Sequence, residues 1–167
     1  VIPYELNQGS ARKLVDRWVQ TLTDQMHGPG FVQLGKNYRA ILSDFEKLPV
    51  DRSQKTVQVG IVGEIYLKYS PLGNNTLEEF LVNEGAEVVN SGLLDFCLYC
   101  VYNGLFDKEL YGKGGLYYHG CKLVARFFES KQRQMIREIK RHGTFTPPAD
   151  FSKVVGMSEG YIGHGVK

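Results

Sequence analysis

The sequence predicts a helix-rich α/β fold with a small parallel sheet, and three observations carry that expectation. Residues 57–62 form a short, β-branched apolar run of strand length, and residues 86–90 resume an extended run. Residues 63–85 between them hold a turn-rich stretch and a helical pattern, the connection that parallel strands require, expected to cross over right-handedly. Apolar residues recur at helical spacing before and after this segment.

Taken in order, Ser10 is placed to cap a first helix, on which Leu14, Trp18, Leu22 and Met26 share a face. Gly28, Pro29 and Gly30 break it, and Tyr38, Ile41, Leu42 and Phe45 mark a second helix ending before Pro49. The expected organisation is an N-terminal helical hairpin, residues 1–50, packed on an α/β domain, residues 51–167, as one folded unit. After the first strand, residues 69–75 read as a loop, because Pro71, Gly73, Asn74 and Asn75 all favour turns. Thr76, Leu77, Glu78 and Glu79 have the pattern of a capping box, and Gly85 is suited to stop the helix that follows. Residues 92–103 read as a buried helix with Leu93, Phe96, Cys97, Cys100 and Val101 on one face. A long helix follows over 116–141, ended by Gly143 and the Pro147-Pro148 pair, and Val154-Val155 is the expected start of another strand. The opening at Val1 and the glycine-rich close suggest an excised domain truncated at its C-terminus.

The 167 residues are 43% apolar and 23% charged, the balance of a soluble globular chain. A net charge of +2 argues against nucleic acid as a partner. No apolar run reaches membrane-spanning length and no leader pattern is present, so the expected location is the cytoplasm. Three cysteines make no disulfide framework and fit a reducing compartment.

Chemistry concentrates at four places. Glu64 stands at the carboxyl end of the first strand, where it could bind a ligand or cap the next turn. Ser70, Asn74, Asn75 and Thr76 belong to a loop and helix start suited to an anionic group such as the phosphates of coenzyme A, or simply to turn geometry. Cys97 and Cys100, with Cys121 nearby in sequence, are either small apolar packing groups or an incomplete metal-ligand set. His164 sits between two glycines, where it could face a crevice or solvent. The helix over 116–141 is also basic, which reads as a solvated face or as a docking surface for an acidic partner.

The run VGIVGEIYLKYSPLGNN, followed by LEEFLVNEGAEVV and GLLDF, resembles a segment of the large activators of (R)-2-hydroxyglutaryl-CoA dehydratase, the acyl-CoA dehydratase activases. The resemblance covers residues 57–100, with weaker echoes at 158–160 and 163–165. The same segment looks like the second domain of the dehydratase subunits, which is flavodoxin-like. The resemblance implies a partial flavodoxin-like (Rossmann-like) domain. For the parent protein it implies anaerobic bacterial metabolism, ATP-driven electron transfer and a 4Fe-4S cluster. This chain has no G-x-x-x-x-G-K-S/T phosphate loop, so no ATPase or other catalytic activity is expected of it alone. Its expected role is interaction or ligand positioning, with other domains of the same polypeptide and a dehydratase or electron donor as partners. Two alternatives remain, a binding module for a CoA ester or other anionic small molecule, and an iron-sulfur electron-relay domain.

Overall fold

The computed structural model describes residues 1–28, 33–112 and 114–158, and it is helix-rich α/β. Contacts divide the chain into two compact units. The first holds Val1–Asn90 and His142–Thr144, and the second holds Ser91–Arg141 and the described residues from Phe145 onward.

In the first unit a 3-10 turn, Ile2–Tyr4, precedes helix α1, Ser10–Met26. Ser10 is not its cap. Gly9 takes the cap position in the left-handed region with φ 82°, and the carboxylate of Glu5 reaches forward instead. Glu5 accepts from Gly9 N at 2.8 Å, from Ser10 Oγ at 3.2 Å and from Ala11 N. One carboxylate thus satisfies two backbone donors and lies at the positive end of the helix dipole. Helix α2, Leu34–Glu46, is bonded to α1 by Asn37 Nδ2 donating to Gln25 Oε1 at 2.6 Å. Arg17 and Trp18 both donate to Asp44 Oδ2, at 3.0 and 3.2 Å.

Strands β1, Gln58–Ile61, and β2, Glu87–Asn90, pair in parallel with Gln58 opposite Glu87 and Ile61 opposite Asn90. Both strands lie within the apolar runs that foretold them. At the start of the sheet the Tyr4 hydroxyl donates to Glu87 Oε2 at 2.8 Å and Gln58 Nε2 donates to the same atom at 3.2 Å. These two donors, Tyr4 first, hold the Glu87 carboxyl below its ordinary range.

The stretch 69–75 is not a loop. The connection between the strands holds three short helices, α3 (Ile65–Tyr69), α4 (Pro71–Asn74) and α5 (Leu77–Asn83). Helices of four or five residues show no periodicity, and local caps dictate them instead.

In the second unit helix α6, Leu93–Tyr111, lies against α7, Leu116–His142. Tyr102 donates to Glu129 Oε1 at 2.6 Å, and Gln132 Nε2 donates to Asp95 Oδ1 at 2.7 Å. Val154 and Val155 do not start a strand. They belong to helix α8, Phe151–Ser158, because Asp150 accepts from Ser152 N at 3.0 Å and caps a helix there. Phe151 N donates to Gln132 Oε1 at 3.1 Å, and the Phe151 ring meets Tyr102 edge-on at 5.3 Å. The face foreseen for α6 is also displaced. Leu98 is its fully buried residue, while Leu93 and Cys100 are exposed. The helix is predominantly apolar with no marked polar face, so its sequence could not say which side faces inward.

Two outcomes follow from this packing. Gln132→Met keeps the volume but leaves Asp95 Oδ1 and Phe151 N without their partner, and denaturant melts should show a loss of about 1–3 kcal/mol. Because the Glu87 carboxyl is depressed, its contribution to stability is present above the ordinary carboxylate value of 4.5 and is lost as pH falls through the lower folded value. Melting temperatures measured across that acid window should fall less steeply in Tyr4→Phe than in the parent chain.

Candidate functional site

The segment after β1 is built by caps taken from its own sequence. Glu64 Oε1 accepts from Leu67 N at 2.8 Å and starts α3. Ser70 Oγ accepts from Gly73 N at 3.3 Å and starts α4, with Pro71 in the first helical position. Gly73 is required by close approach, since a Cβ there would fall 2.7 Å from the Tyr66 ring and 2.8 Å from the Tyr66 carbonyl. Asn75 and Thr76 follow in the left-handed region with φ 54° and 55°. The expected capping box therefore does not form. A capping threonine needs extended backbone to aim its hydroxyl at the next turn, and Thr76 instead donates to the Asn75 carbonyl at 2.7 Å. Asn74 Oδ1 takes over, accepting from Leu77 N at 3.3 Å.

These turns open a cleft of about 310 Å³ within the first unit. Lys68, Tyr69, Asn74, Thr76 and Pro71 line one side, α5 contributes Glu78, Glu79 and Val82, and Ile2 and Arg12 complete it. Its size is that of a small-ligand site. Its charge is balanced, and Arg12 Nη1 lies 3.5 Å from Glu79 Oε1, both side chains being about half exposed. An anionic group entering here would compete with Glu79 for Arg12. At the carboxyl end of β2, Asn90 Nδ2 donates to the Lys68 carbonyl at 3.4 Å.

Of the residues singled out in the sequence, Asn74 and Thr76 line the cleft. Glu64 and Ser70 serve as helix caps, and Asn75 is an exposed turn residue. His164 and the glycine-rich echo around it lie outside the described residues. Arg12, Glu79 and Ile2 were not foreseen as site residues. Arg12 stands on α1, far from the cleft loop in sequence, and no local pattern announces that proximity.

Cys97, Cys100 and Cys121 are all free thiols in the second unit. Cys97 and Cys121 are partly buried, and Cys100 is exposed. The Cys121 sulfur occupies the space beside Gly104 on α6, where a Cβ would approach it to 2.7 Å. A hydrogen bond with Cys121 pushes the Tyr117 hydroxyl above its ordinary pKa. Among the described residues no three His, Cys, Asp or Glu side chains are placed to hold a metal ion. The three cysteines thus do not fit the cluster that the resemblance implies for the parent protein. No described helix is long and apolar enough to cross a membrane.

Comparison of the chain with family models, with curated proteins and with solved structures finds no match.

Proposed function

We propose that this chain is a non-ATPase interaction domain of an acyl-CoA dehydratase activator of the (R)-2-hydroxyglutaryl-CoA dehydratase class, serving ATP-driven electron transfer carried out elsewhere in the parent protein. The observation that carries the interaction role is α6. It is predominantly apolar, its charged residues being Asp95, Asp107, Lys108 and Glu109, and Leu93, Tyr99, Leu110 and Tyr111 are exposed. Large apolar side chains exposed along such a helix are suited to cover by a partner. The assignment to dehydratase activation rests on the residues at 57–100 that resemble the activators.

The sheet supports the same reading. Two parallel strands alone are marginal, and Val57, Val62 and Val89 are exposed around them. We read β1 and β2 as part of a larger flavodoxin-like sheet, with α1 and α2 as the hairpin that packs on it.

The direct test is binding of the full chain to an anaerobically purified dehydratase of this class, read by biolayer interferometry. Saturable binding, weakened about tenfold by Leu93→Glu or Leu110→Glu, is the expected result. No binding removes the dehydratase as partner. Stoichiometric iron with cluster absorption after anaerobic reconstitution would replace the interaction role by electron relay.

A second reading, a module that positions a CoA ester, is favoured by the cleft, whose lining includes Arg12, Lys68, Asn74 and Thr76. Coenzyme A should then raise the melting temperature, because a ligand that binds only the native state stabilises it. Glu79→Gln should enhance the shift by releasing Arg12, and Arg12→Ala should reduce it. A melting temperature unmoved at millimolar coenzyme A ends this reading.

A further inference from the structure

The cleft of the first unit carries both signs of charge on a partly apolar lining, and that combination restricts what can fill it. Arg12 on α1 and Lys68 on α3 supply two cations, and Glu78 and Glu79 on α5 supply two carboxylates. Arg12 Nη1 lies 3.5 Å from Glu79 Oε1, and the Lys68 ammonium lies 5.3 Å from the centre of the Tyr69 ring. Ile2, Pro71 and Val82 add aliphatic surface.

The Arg12–Glu79 pair opens at little cost. Its side chains are 54% and 55% exposed, a setting in which an ion pair adds little stability. Occupancy is then decided by how well an entering ligand replaces both partners. A ligand that fills the cleft displaces water from these groups, so a charge left without compensation there costs more than the same charge at an open surface. A purely anionic group takes Arg12 and leaves Glu79 uncompensated beside Glu78. A purely cationic group takes Glu79 and leaves Arg12 uncompensated in a lining that also holds Lys68. A neutral ligand gains nothing from parting the pair. A compact zwitterion inserts between the two side chains and compensates both.

We propose that this cleft binds a zwitterionic small molecule with an aliphatic body, the chemistry of an α-amino acid such as leucine, with its carboxylate on Arg12 and its ammonium on Glu79. A guanidinium offers paired N–H donors to a carboxylate, and the donors of an ammonium match carboxylate oxygens. Ile2, Pro71 and Val82 offer cover to the aliphatic body. The wall that carries Thr76 is also set in a conformation that a β-branched residue seldom takes, with φ 55° at Thr76. Thr76 N donating to the Pro71 carbonyl at 2.9 Å helps to hold it there, and strained backbone of this kind collects at ligand sites. The proposal goes beyond the interaction-domain reading and does not depend on it. It competes with the CoA ester reading for the same cleft, because phosphates bring only negative charge to a lining with two carboxylates.

The probe is L-leucine, titrated against the full chain by isothermal calorimetry beside two isosteres, 4-methylpentanoate, which lacks the ammonium, and 3-methylbutylamine, which lacks the carboxylate. Saturable binding of leucine is expected, with each isostere about tenfold weaker because it forfeits one charge-assisted bond and strands one side chain. Arg12→Gln and Glu79→Gln should each weaken leucine about tenfold. Both positions are half exposed, so the melting temperatures of the variants should stay near that of the parent chain. Glu79→Gln should also remove the preference for leucine over 4-methylpentanoate. Absence of saturable leucine binding overturns the proposal, and so does equal binding of either isostere. Tighter binding of leucine to Glu79→Gln, the direction expected for coenzyme A, overturns it as well. A chain that binds the dehydratase but not leucine leaves the interaction reading standing and removes this site.

Discussion

A carboxamide donates and accepts at once, and Gln132 uses both ends in the interior of the second unit. It is 1% exposed, and its amide joins α6 through Asp95 and α8 through the first backbone N–H of that helix. Three helices are thereby held in register by one side chain of α7. A leucine at this position would supply more apolar area, but would remove the hydrogen bonds that Gln132 makes to Asp95 and to the helix-start N–H of Phe151, at about 1–3 kcal/mol in all. The apolar core around it is small, with Leu98, Ala125 and Ile136 as its buried members. Tyr102 adds a second polar tie, and burial together with its bond to Glu129 pushes its hydroxyl up to about 12. The second unit therefore relies on directional hydrogen bonds where a larger domain would rely on apolar volume.

The first unit follows the same economy. Ala11, Leu14, Ile61 and Ala86 are its buried apolar residues, and carboxylates organise much of the rest. Glu5 caps α1, Asp44 binds Arg17 and Trp18, and Glu87 gathers Tyr4 and Gln58 at the head of the sheet. Thin cores and abundant exposed aliphatic groups belong together. Residues such as Val62 and Leu72, which are almost wholly exposed, contribute little to folding here and are available to contribute to association. A partner that covers them stabilises the native state by binding it, so association and folding are linked.

The elements legible in the sequence were those whose signal is long or simple. The two strands were legible because short stretches holding two or more valine or isoleucine residues, each next to a glycine, have few alternatives. The long helix α7 was legible because its period repeats over seven turns. What failed to read were features set by single contacts. Glu5 caps a helix from five residues upstream, a reach that no N-cap pattern encodes, and Ser10 drew attention because it stood at the usual place. Thr76 matched the letter of a capping box, but the pattern does not reveal that Asn75 and Thr76 both adopt left-handed backbone, which turns the hydroxyl away. In the cleft, Asn74 and Thr76 were legible as turn residues, while Arg12 was brought there by tertiary packing alone.

The exposed apolar side chains of α6 and the buried polar side chains of α7 express one constraint from two sides. On α6 large side chains such as Leu93, Tyr99 and Leu110 stay exposed beside the exposed Lys108, so apolar groups are left at solvent within a mixed surface. On α7 Ala125, Gln132 and Ile136 are buried on one face and Glu138 on another, so polar side chains occupy part of the interior. Apolar contact alone is non-directional, so it supplies affinity without choosing a register. The hydrogen bonds of Gln132 with Asp95 and with Phe151 N supply the direction, because sliding these helices past one another would break them. In the second unit the few buried apolar side chains therefore hold the helices together while the polar ties align them.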